Sequence, residues 1–160
     1  MNPPAVSGAP GLQLAAARAL ASFGLALWFG GGVGTLLSTR VVFANTSGTP
    51  MAGTLAAGLL KRYTWLASAA LALLIGSWLL GLRGAITAAW AAGGVLFLIS
   101  ELAIWPAVRR LRTAMGGSRD NVPKEDPRRR RFGMLHGVSM LLIFLELGCA
   151  AAAILALSFG

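Results

Sequence analysis

Long charge-free runs dominate the pattern of this chain. No residue from Ala19 to Thr39 is charged, a run of 21, and Tyr63–Leu82 adds a second of 20. From Gly84 to Arg109 only Glu101 intervenes, and from Phe132 to Gly160 only His136 and Glu146. At ~1.5 Å per residue, about 20 helical residues cross a ~30 Å hydrocarbon layer. None of the runs alternates apolar with polar positions, so strands are excluded, and a backbone in lipid satisfies its own hydrogen bonds as helix. A water-soluble bundle would carry a Lys/Glu stripe at helical spacing, and Leu66–Leu82 has none. The pattern predicts an all-α, integral membrane four-helix bundle. Its spans fall at 17–44, 63–82, 84–108 and 132–159, with a flexible tail over 1–14 and a basic loop over 109–131.

Composition strengthens this reading. Of 160 residues, 56% are hydrophobic and only 12% charged, with mean hydropathy +0.72; soluble domains carry ~25% charge. The single cysteine, Cys149, excludes an internal disulfide and any cysteine-clustered metal site. The net charge of +9 acquires meaning from its location. Arg40, Lys61 and Arg62 flank the first loop and nine more basic residues occupy the third, leaving Arg18 and Arg83 on the other side. Such a bias places the first and third loops in the cytoplasm and both termini on the extracytoplasmic side. Met1–Leu14 lacks a basic leader and holds Pro3, Pro4 and Pro10, so it reads as a tail and not a signal peptide. The expected setting is a multi-pass protein of a bacterial-type plasma membrane.

The run Arg128, Arg129, Arg130 and Arg131 is expected to contact anionic lipid. It has no interleaved aromatic residue, so nucleic acid is not an expected partner. Tyr63, Trp65 and Trp105 fall near the cytoplasmic ends of their spans and Trp78 and Trp90 near the outer ends, as in an aromatic belt. Trp28 lies mid-span and is expected inside the bundle.

Lipid is as apolar as leucine, so close packing and polar contacts must hold the helices together. Gly30 and Gly34 on the first span, and Gly133 and Gly137 on the fourth, form GxxxG steps suited to helix packing within the bundle or with a second copy.

Ionisable residues inside spans cost about 2.5–3.5 kcal/mol each on insertion scales and so need a partner or a purpose. Arg40 lies about a turn inside the first span's cytoplasmic end. Glu101 is eight residues before Arg109, ~12 Å deep, and His136 five residues past Arg131, ~7 Å deep. Their similar depth predicts a cluster of Arg40, Glu101 and His136 with Ser139 beside it. It would act either as an interhelical clasp or in handling protons or substrate, unless Arg40 snorkels to the interface and touches neither. Glu146 falls near the bilayer midplane, on a wedge of about 80° with His136, Ser139 and Ile143. It is expected protonated, bonded to a serine or a backbone carbonyl. Met134, His136 and Met140 offer thioether and imidazole ligands that would suit Cu(I). One histidine cannot ligate haem twice, so no cofactor is expected. No catalytic triad, metalloprotease helix, phosphate loop or carboxylate pair is present in sequence, so no enzyme activity is expected.

Val41-Val42-Phe43, then Ala52-Gly53 through Lys61-Arg62-Tyr63, is similar to the first-loop signature of the transmembrane protein 205-like family, also called domain of unknown function 4149. Pro106 followed by Arg109, Arg110 and Arg112 resembles the family's third-helix exit. Phe132-Gly133-Met134-Leu135-His136-Gly137-Val138-Ser139 resembles its F-x-x-L-H-x-x-S run opening the last helix. Trp28 and the glycines after it fit the first helix. The likeness spans most of residues 17–159. It departs at Ile143, where the family often has asparagine, and at Glu146. It implies a four-span membrane protein, linked in some members to drug tolerance and export, with no activity assigned. A looser likeness to copper-resistance D-type membrane proteins rests on Trp28 and Gly30–Gly34.

Three functions follow as expectations. The first is a small transport or efflux component acting as an oligomer. The second is a non-catalytic subunit docking a membrane-protein partner. The third is soft-metal handling. A watery cleft reaching Glu101 and His136 would favour transport, and a dry bundle with Glu146 turned outward would favour a partner.

Overall fold

The computed structural model describes residues 9–46, 50–117 and 121–159. The fold is all-α. Helix α1 is Ala9–Asn45, α2 Pro50–Leu79, α3 Ala85–Ile99, α4 Trp105–Ala114 and α5 Pro127–Phe159. A π-helical turn, Ser100–Ile104, joins α3 to α4, so the described residues form four rods, each long and apolar enough to cross a membrane. The rods pack as an antiparallel bundle in which α1 lies most extensively on α2 and α3 on α5. α1 meets α5 less, and α2 barely meets α3.

Small residues make the seams. On α1 the inward positions Ala17, Ala21, Leu25, Trp28 and Gly32 recur every three or four residues, and on α2 so do Tyr63, Ala67, Ala70, Leu74 and Ser77. This is the knobs-into-holes spacing of a left-handed bundle. A methyl added at Gly24 would stand 3.0 Å from the carbonyl oxygen of Ala70, so the α1 and α2 backbones are nearly in contact. Bulky apolar side chains face outward: Phe23, Trp65, Leu102 and Phe144 are all exposed. A soluble monomer avoids such a surface, whereas lipid accepts it. The molecule is a polytopic membrane protein.

Several boundaries differ from the sequence pattern. Residues 1–8 of the expected tail lie outside the described residues, and Ala9–Leu14 is already α1. The first loop is much shorter than the charge pattern suggested, because Pro50–Arg62 is the start of α2. Likewise α4 runs to Ala114 and α5 begins at Pro127, trimming the basic loop from both sides. Charge marks where a rod leaves hydrocarbon. Helical hydrogen bonding does not end there.

Two Schellman motifs close helices. At Gly81 (φ 102°) the Leu82 N–H reaches the Ser77 carbonyl and the Gly81 N–H that of Trp78. At Gly116 (φ 70°) the Gly117 N–H reaches Arg112 and the Gly116 N–H reaches Thr113. Both need the left-handed conformation that glycine adopts without strain. The π turn has a cause in Pro106. Proline lacks an N–H and its ring clashes with the carbonyl four residues earlier, so the helix widens just before it, and the Trp105 N–H bonds back five residues to Ser100.

Candidate functional site

The buried seams converge on a polar chain in the bundle interior. Trp28 on α1 is wholly buried, and its Nε1–H donates to the Tyr63 hydroxyl on α2 at 3.1 Å. That hydroxyl donates to Oε2 of Glu146 on α5 at 3.4 Å. Glu146 is 1% exposed, and its second oxygen, Oε1, is buried without a partner. Three helices thus share one line of polar atoms. Gly32 makes room for it: a methyl there would stand 2.5 Å from Leu147 Cδ2 and 3.2 Å from the Tyr63 ring. Gly93 on α3 does the same for the indole, since its added methyl would stand 3.2 Å from Trp28 Cη2 and 3.0 Å from Cys149 Cβ.

A second carboxyl lies nearer the basic end. Glu101 sits in the π turn, half-buried, and Thr64 Oγ1 donates to its Oε1 at 3.0 Å. It is close enough to interact electrostatically with both Tyr63 and Glu146. Successive α2 residues therefore serve the two carboxyls, Tyr63 holding Glu146 and Thr64 holding Glu101. π turns occur frequently at functional sites because they re-aim side chains, and here the turn carries the acidic residue of its rod.

The expected cluster of Arg40, Glu101, His136 and Ser139 does not assemble. Arg40 is exposed and shares the outer face of α1 with Val33, Leu36 and Leu37. The reason is register: the inward seam passes through Gly32 and, seven residues on, reaches Thr39, whose Oγ1 is buried without a partner. Arg40 is one residue off that seam and points away. His136 is exposed and stacked on Phe132 at 6.3 Å between ring centroids. It makes no hydrogen bond to Arg40 or Glu101. Ser139 and Ile143 are buried along with Glu146, so only His136 leaves the wedge. Glu146 takes a tyrosine hydroxyl where a serine or backbone carbonyl was expected.

The GxxxG glycines also depart from expectation within this chain. Gly30, Gly34, Gly133 and Gly137 have nothing within 4 Å of an added methyl, while Gly24, Gly32, Gly93 and Gly94 make the close approaches. Trp90, expected in the outer belt, is packed into the core. Met134 and His136, two residues apart and so about 200° apart around α5, cannot converge on one ion. Among the described residues no three His, Cys, Asp or Glu side chains gather as a metal site.

The basic loop is partly self-engaged. Asp126 caps α5 by accepting the Arg128 N–H at 2.8 Å, and Arg128 Nη2 pairs with its Oδ2 at 2.6 Å. Arg128 also donates to the Ala114 carbonyl, and Arg129 to that of Val122. Of the four arginines expected at lipid headgroups, these two are tied into the fold, and Arg130 and Arg131 are exposed. Arg112 fastens the end of α4 to α2 through Gly53 and Thr54.

Sequence reasoning missed Tyr63 and Thr64, because adjacent Lys61, Arg62 and Trp65 made the segment look interfacial. The signal was there in Tyr63–Ala67–Ala70–Leu74, a seam at helical spacing that places Tyr63 inward. The arrangement set out for docking, with Glu146 turned outward, does not occur. Glu146 faces inward, and two surface grooves, one beside Arg18 and Arg83 and one beside Arg40, are lined by none of Glu101, His136 and Glu146.

Fold and site together define a polytopic α-helical membrane protein with a carboxyl inside its bundle. A scan against protein-family models gives no match, and searches of curated proteins and of solved structures give none.

Proposed function

We propose that the protein is a small proton-coupled transport component in which Glu146 is the coupling carboxyl. The observation that carries this reading is the state of Glu146: inside the bundle, one oxygen on Tyr63, the other without a partner, and no ion pair to it among the described residues. A bare charge at such depth costs several kcal/mol. The carboxyl must therefore hold a proton or a cation drawn from outside, and exchanging one for the other is what a coupling site does. Tyr63 and Trp28 keep it oriented. Glu101, on the π turn toward the basic end, offers the next acceptor for a proton moving between Glu146 and that side. The positive-inside pattern makes that side cytoplasmic, and the likeness to the transmembrane protein 205-like family adds a link to export.

The test uses the full chain in liposomes holding a pH-sensitive dye, with ethidium as the cationic probe. An imposed proton gradient should drive ethidium across the membrane with counterflow of protons. Glu146→Gln should abolish both fluxes, and Glu125→Gln in the exposed loop should leave them unchanged. No flux in the wild type, or equal flux in Glu146→Gln, rejects the reading.

A second reading, a subunit that docks a copy of itself or another membrane protein, rests on the open faces at Gly30/Gly34 and Gly133/Gly137. Small-xxx-small faces let helices approach closely. Mass measurement in mild detergent should then show an assembly larger than one chain that Gly34→Leu or Gly137→Leu reduces to one.

A further inference from the structure

A groove of ≈ 530 Å³ opens on the outer surface between α1 and α5, within the ~300–1,000 Å³ range of ligand sites. Phe29, Val33 and Leu37 line one wall, and Met140 and Phe144 the other. Arg40 stands at its basic end. From Phe29 to Arg40 is eleven residues, ~16 Å along the helix, or half of a ~30 Å hydrocarbon layer. The groove therefore has the depth of one leaflet, and the guanidinium sits where that leaflet's headgroups lie. Arg40 is exposed, with no ion pair or hydrogen bond among the described residues. Gly137 and Gly133, three and seven residues before Met140, continue the α5 wall with no side chain and nothing near them, which leaves space beside the arginine.

We propose that this groove holds one acyl chain of an anionic phospholipid from the leaflet at the basic end, with the phosphate against Arg40. The lining argues for a chain over a helix. Helices approach each other over small residues, and the bulky Phe29, Leu37 and Phe144 keep a second backbone away while a flexible hydrocarbon fits between them. The cation selects the head: a net negative lipid gains its attraction, and a zwitterionic one brings its own ammonium. This site is independent of the role given to Glu146, whose oxygens lie on the inward side of α5.

The experiment places the full-length protein in bilayers of equal phosphatidylglycerol and phosphatidylcholine, one or the other carrying a photoreactive group midway along an acyl chain. Peptide mapping after irradiation should find phosphatidylglycerol adducts concentrated on Phe29–Leu37 and Met140–Phe144. Arg40→Gln should lower the ratio of phosphatidylglycerol to phosphatidylcholine adducts there about fivefold, the effect of one basic residue beside an anionic headgroup. Val33→Trp, which fills the groove, should remove adducts of both lipids. Arg130→Gln should leave the ratio in place. Adducts spread evenly to Phe23 and Leu155 overturn the proposal, as do equal effects of Arg40→Gln and Arg130→Gln. Protein–protein crosslinks from the groove peptides would show a second copy there and reject the lipid.

Discussion

The interior at the depth of Trp28 and the basic end around Arg40 and His136 treat polar groups in opposite ways. At the first, three polar side chains are aimed inward and joined, indole to phenol and phenol to carboxyl, across three helices. At the second, Arg40 and His136 both face out of the bundle, although each lies on a rod that also carries buried groups. Depth explains the contrast. In hydrocarbon a polar group has only protein to bond, whereas near the headgroups water and lipid serve as well, and nothing compels a cluster. Similar depth is therefore a weak predictor of contact. Position on the helical seam is the stronger one.

The comparison is sharpest at tryptophan. Trp28→Ala removes the largest fully buried side chain among the described residues, opens a cavity beside Gly93 and strips the donor from Tyr63; it should lower stability by about 3–5 kcal/mol. Trp65→Ala, at a site 72% exposed to lipid, should stay within about 0.5 kcal/mol. Unfolding from detergent micelles measures both, and equal losses would break the distinction between interior and lipid face. Glycine gives a smaller effect. Gly32→Leu must displace Leu147 and the Tyr63 ring, an overpacking worth about 1–3 kcal/mol. Gly30→Leu, on open space in the single chain, should not destabilise that chain in the same assay. The smallest effect lies in the loop. The Arg128 side chain, and then its backbone N–H, hold the Asp126 carboxyl below the ordinary range. Because the folded value is the lowered one, the clasp contributes fully above the ordinary Asp value of about 3.9 and is lost as pH falls through the lowered value. Carboxyl NMR should show that low midpoint in the wild type and a higher one in Arg128→Gln, still held somewhat below the ordinary range by the backbone N–H that remains.

Much of the architecture was legible before any coordinates. Two uncharged runs and two broken only by Glu101, His136 and Glu146, all of bilayer length, admit few solutions other than four helices, and the isolated placement of Glu146 among apolar residues marked it as a group in need of a partner. The partner was not legible. Trp28 and Glu146 are far apart in the chain, and Tyr63 carried the outward sign of an interfacial aromatic. The π turn was equally hidden, although Pro106 in the third run was its visible cause.

The sequence by itself determined the solvent, the number of rods and the end of the molecule at which basic charge collects, because these depend on residue totals over lengths set by the bilayer. Only the tertiary structure decided which of two neighbouring residues turns inward. One helical residue is a 100° rotation, so the Thr39 hydroxyl is buried and Arg40 is exposed. Which glycines are compressed and which are open was decided in the same way, by the rotation each rod adopts to seat Trp28, Tyr63 and Glu146 together.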